Sequence, residues 1–313
     1  MQIMLHFTIF LLVFSAPTID QQANAVEALE QSGARLFRDQ QDQTTRIEFR
    51  GSQTTDSTLV HLKYLPHLEH LDFYGSQLTD VGMEHLSTLK NLTYLSLEDT
   101  QITNTGMPHL RNLVNLRTLT LGGTRITDSA LVNIKRFQDL EVLHLYRTGL
   151  TDAGLVHLKG LAKLEVLHCS ETFLTDAGCV HLEGHTNLWR LSLYGTDVTD
   201  VGLKNIRRMQ KLTMLDIGQT YITDDGLVQL AILKKLNNLA VYNTPVSDSG
   251  LNHLKKLVNL ERIGLKGTQV INAGLVHLKT LAKLNSLQFD GTQVTDSGLA
   301  ELRRVFPNCK ISR

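Results

Sequence analysis

The chain has little of several things that common functions require. Its three cysteines, Cys169, Cys179 and Cys309, are too few and odd in number for a disulfide framework, and no CxxC pair exists to hold zinc. Neither sign of charge is in excess. Thirty-one basic and 31 acidic residues leave a formal net charge of zero, which excludes the basic field that a nucleic acid or an anionic membrane surface would call for. There is no GxSxG, HExxH, phosphate-binding loop or dinucleotide fingerprint, so nothing marks an enzyme. Long apolar runs are missing apart from one, Ile3 to Ala16, and its 14 residues fall short of the roughly 18 of a membrane-spanning helix. Residues 1–25 read as a signal peptide or N-terminal anchor, with Ala23-Asn24-Ala25 as a small-x-small cleavage site. An exported protein is therefore expected, periplasmic, secreted or cell-surface, touching a membrane only through that segment if it stays uncleaved.

What is present is a repeat. The dipeptide Thr-Asp, or a close variant, recurs from Thr55-Asp56 to Thr295-Asp296 in steps of 24 residues without insertion or deletion. One unit, Leu150 to Phe173, reads LTDAGLVHLKGLAKLEVLHCSETF. Leu155, Leu158, Leu161 and Leu164 step by three, the habit of a short helix or tight helical turns. Leu167 and Cys169 step by two, the period of a strand. Such a unit cannot bury its apolar side alone, so neighbours must stack into one elongated core. The Asp or Asn of each pair is expected to cap the backbone N–H groups of the helical turn that follows. A hydroxyl column (Ser52, Ser76, Thr100, Thr124 and onward to Thr292) is expected to bond the backbone of the next coil. Cys169 and Cys179 stand where other units have leucine and read as buried thiols, with Cys309 alone in reach of solvent.

Leu92, Leu95, Leu97, Thr100 and Ile102 meet the pattern L-x-x-L-x-L-x-x-(Asn/Cys/Thr)-x-L, as do ten similar units. On these residues the chain resembles the leucine-rich-repeat family. Its TDxGL form is similar to exported bacterial repeat proteins and to the repeat half of F-box substrate receptors. The resemblance implies an α/β fold: a leucine-rich-repeat solenoid, or horseshoe, with a parallel concave sheet and helices or helical turns on the convex side. It implies a binding scaffold and is nearly silent on the partner. Residues 26–53 are expected to form an N-terminal cap and first strand, with a helix over Ala25–Gln31 and strands over Arg35–Asp39 and Thr45–Arg50. Residues 54–293 are expected to form ten full repeats, and 294–313 a truncated repeat and C-terminal cap with Ile311 in a last strand stub.

Strand residues between the core leucines face the concave side, so that wall can be read by column. The columns bring forward Tyr74, Tyr94, His144, Tyr146, His168, Arg190, Tyr194, Met214, Asp216 and Tyr242 as partner-binding residues, with Trp189, the single tryptophan, as a rim anchor. Tyr, Trp and Arg are the side chains that most often anchor interfaces. From Gly122 to Tyr242 one column alternates small and large, so its rings are expected to stand about 10 Å apart with gaps between them. Seven of the 13 histidines share one repeat position, just before a core leucine, and read as a polar consensus position on the convex face. His144 and His168 could ligate a metal, but no third ligand is evident, so no metal or cofactor is expected. The expected partner is a protein or cell-surface ligand held by a monomer without catalysis. The rivals are a substrate receptor of a ubiquitin-ligase complex, which lacks its adaptor-binding domain here, and a structural envelope protein.

Overall fold

A computed structural model describes residues 16–49 and 54–313. The apolar segment up to residue 15, and Arg50 and Ser52 of the first coil, lie outside the described residues. Thirteen strands form one open sheet in strict sequence order. They are β1 (Ala34–Arg38), β2 (Thr44–Phe49), β3 (His70–Asp72), β4 (Tyr94–Ser96), β5 (Thr118–Thr120), β6 (Val142–His144), β7 (Val166–His168), β8 (Arg190–Ser192), β9 (Met214–Asp216), β10 (Asn238–Ala240), β11 (Arg262–Gly264), β12 (Ser286–Gln288) and β13 (Lys310–Ser312). The first pair is antiparallel and every later pair is parallel. The register advances by 24 residues at each step, as in Val142 to Val166 and Val166 to Arg190. Column positions in the sequence are therefore neighbours in space.

The repeat leucines meet in a single core running the length of the chain, and Leu155, Leu158, Leu161, Leu164 and Leu167 are all fully buried. At the N-terminal end Phe49 and Phe73 stack at 4.9 Å, which fills the first coils. The convex side alternates short α-helices such as Asp200–Ile206 with 3-10 turns such as Met107–Asn112. Cys169 and Cys179 are buried in the core, and Cys309 is partly exposed.

Three local readings need correction. First, the repeat aspartates do not cap their own helical turns; in several coils the preceding threonine does, as where Thr199 Oγ1 accepts from the Val201 N–H at 3.2 Å. The aspartate instead crosses to the next coil. Asp176 accepts from the Thr199 N–H at 2.8 Å and from its hydroxyl at 2.7 Å, and from the Gly202 N–H at 2.9 Å. A side chain at Gly202 or Gly178 would collide with such a carboxylate, so the recurrent glycine makes room for this ladder. Second, the hydroxyl column bonds within its own coil, as from Thr100 to the Leu97 carbonyl at 2.6 Å and from Thr196 to the Leu193 carbonyl at 2.6 Å. Third, the N-terminal cap helix α1 spans Ile19–Gln31, six residues longer than expected. Thr18 and Gln21 close a capping box at its start, and Ala25, the end of the expected cleavage triplet, is buried against the first coil. The sequence reading also passed over an asparagine ladder: Asn91, Asn115, Asn187 and Asn259 each donate to a carbonyl of the preceding coil at 2.7–2.9 Å.

Candidate recognition surface

The strands place the expected residues along the concave wall but gather them in two groups. The first surrounds Glu98. His144 Nδ1 lies 2.9 Å from Glu98 Oε1, and Tyr146 leans back over Gly122 toward the same carboxylate. Tyr94, stacked on His70 with centroids 3.8 Å apart, and the exposed Tyr74 complete this acidic end. Burial, then Glu98 and Asp99, push the Tyr146 phenol well above its ordinary range. Glu98 sits in the tyrosine column two coils before Tyr146, and that column neighbourhood is the signal by which it could have been found.

The second group encloses a hollow of about 380 Å³ whose walls include Tyr146, His168, Arg190, Met214, Asp216 and Tyr242. The His168 imidazole stacks on His144 with centroids 4.3 Å apart and planes 7° from parallel. Its Nε2 is buried without a hydrogen-bond partner. Burial, reinforced by His144 and Arg190, lowers the His168 pKa to about 3, so the ring is neutral throughout the physiological range. Asp216 accepts from the Gly218 N–H at 3.1 Å. Burial raises its pKa, opposed by that bond and by Arg190. The hollow thus offers a cation, a half-buried carboxylate and aromatic walls within one surface. Glu171 and Asn238 also line it, and neither was picked out from the sequence. Glu171 adopts a left-handed backbone, φ 53°, at a position held by glycine in several other coils.

The tyrosine column does not leave gaps. The Tyr242 ring lies against Gly264 so closely that a Cβ there would collide with it, and its hydroxyl donates to Gln288 Oε1. Tyr194 donates to Gln219 Oε1 at 2.7 Å and stands beside the central hollow, lining a neighbouring one with Tyr242. Trp189 is 36% exposed at the edge of the wall, where its carbonyl accepts from the Met214 N–H at 3.0 Å, and it does not join the central group. Among the described residues no set of three or more His, Cys, Asp or Glu side chains is placed to hold a metal.

A leucine-rich-repeat family model matches residues 64–87 and 88–107. An internalin from Listeria monocytogenes superposes with a TM-score of 0.62 at 22% identity, covering 96% of this chain and 98% of that one. A leucine-rich-repeat protein of Leptospira interrogans gives 0.56 at 17% identity over 80% of this chain and 74% of its own. The ectodomain of the Arabidopsis receptor kinase HAESA, in complex with a peptide hormone ligand, gives 0.60 at 16% identity over 88% of this chain and half of its own length. No curated protein matches the sequence. The chain has the leucine-rich-repeat solenoid fold, matches that family's model over two of its repeats, and is similar in fold to bacterial and receptor repeat domains. Among the described residues no helix is long and apolar enough to cross a membrane.

Proposed function

We propose that this chain is a recognition scaffold, working outside the cell without catalysis, that docks a protein partner on its concave wall between β6 and β10. The observation that carries this reading is the central hollow, where Tyr146, Tyr242, Arg190 and Met214 line one surface. Large rigid aromatic rings beside an arginine are the composition of interface anchors. The HAESA ectodomain, of the same fold, holds a peptide, which adds support by analogy.

Alanine at Tyr146, Tyr194 and Tyr242 together is expected to weaken the partner by at least about 30-fold, measured by titration with the partner isolated by proximity labelling. Circular dichroism is expected to stay unchanged, because all three rings stand outside the core. Unaltered affinity in the triple variant would remove the concave wall from the account.

A further inference from the structure

At the far end of the wall, between β10 and β13, lies a second hollow of about 530 Å³ with a different chemistry. Arg262 and Lys310 stand in the same strand column, two strands apart in the parallel register. That separation is about 10 Å, the reach of roughly three residues of an extended peptide. Both side chains are exposed, and neither forms an ion pair among the described residues. No carboxylate lines this hollow; Ser286 stands between the two cations in the row, and Asn238, Asn285 and Gln288 also line the hollow. Glu261 stands outside the lining, 3.5 Å from the Asn285 amide.

We propose that this hollow receives a short acidic peptide segment of the docked partner, carboxylates at Arg262 and Lys310 and peptide groups against the amides beside them. Two cations about 10 Å apart with donor-and-acceptor amides beside them suit a chain of peptide groups carrying a few carboxylates. A densely sulfated glycan would call for a closer run of cations. Tyr242 and Asn238 line both hollows, so the segment continues directly from the central site.

The inference rests on the docking reading above, and its test separates the two. Dye-labelled hexaglutamate is titrated onto the full chain and followed by fluorescence anisotropy, with hexalysine and a heparin oligosaccharide as comparison probes. Hexaglutamate is expected to bind, to weaken between about 50 and 500 mM salt, and to weaken by at least about tenfold in the doubly substituted Arg262→Gln, Lys310→Gln protein. Both positions are exposed, so circular dichroism of that variant is expected to match the parent. Tyr146→Ala with Tyr194→Ala is expected to leave hexaglutamate within about twofold while losing the partner, so failure of the central site reads out separately. Hexaglutamate that does not bind, that binds the doubly substituted protein equally, or that loses to heparin while showing no binding of its own would overturn the proposal.

Discussion

Replacing Asp176 with alanine is expected to lower the unfolding free energy by about 3 kcal/mol, read from urea titrations followed by circular dichroism. The carboxylate takes three hydrogen bonds from the following coil, two of them from backbone N–H groups that no solvent replaces at full strength in this partly buried seam. Truncation strands those donors, and an unsatisfied donor costs about 1–3 kcal/mol. Asp176→Asn is expected to cost less than about 1 kcal/mol, because the ladder already uses asparagine elsewhere. Asn104 accepts from the Thr127 N–H and donates to its hydroxyl, both at 2.8 Å. A solenoid is held together by contacts between neighbouring coils, so the alanine variant is also expected to broaden the transition. A cost below about 1 kcal/mol for alanine would show that apolar stacking alone sets the seam.

Acid is expected to destabilise the fold across the window from about pH 6.5 down to about 3. The groups responsible are His168, whose folded pKa falls to about 3 through burial, His144 and Arg190, and His185, lowered chiefly by burial. The unfolded chain binds these protons near pH 6.5 while the native state refuses them. Stability is therefore fully present above 6.5 and lost as pH falls toward the folded values. His168 contributes on the order of 3 kcal/mol to that loss. His185 is 2% exposed with its Nε2 unpartnered, at the position where the coils on either side place the buried Leu161 and Met209. His185→Leu is expected to raise stability at neutral pH and flatten its share of the acid slope; His168→Gln removes the larger share. A midpoint for urea unfolding that stays constant from pH 7 to about 4 would contradict the assignment.

The period of 24 residues and the switch from threefold to twofold leucine spacing were enough to read the solenoid, its core and the concave columns. Parallel pairing with a constant register turns each column into a physical row. Direction within a row was not legible. A column shows that Asp176 and Thr199 recur, but not whether the carboxylate turns to its own helix or to the coil beyond. That choice is settled by the room glycines such as Gly202 leave between coils and by the threonine that already caps the helix. The lean of the tyrosines was hidden for a similar reason: Tyr146 and Tyr242 fold over the glycines beside them, so small residues receive rings instead of separating them. The start of α1 was readable, since Thr18 and Gln21 have the spacing of a capping box, but the apolar run before it drew those residues into a signal segment. Glu98, Glu171 and Asn238 carried no motif and became visible only where neighbouring coils curve toward one another.

The most direct test of the recognition account is a photo-crosslinking amino acid placed at Tyr194 on the concave wall or at Lys204 on the convex helix Asp200–Ile206, in the native cell. The account predicts one discrete adduct from position 194, reduced by Arg190→Ala, and none from position 204. An adduct from 204 with none from 194 would place the partner on the opposite surface and contradict it.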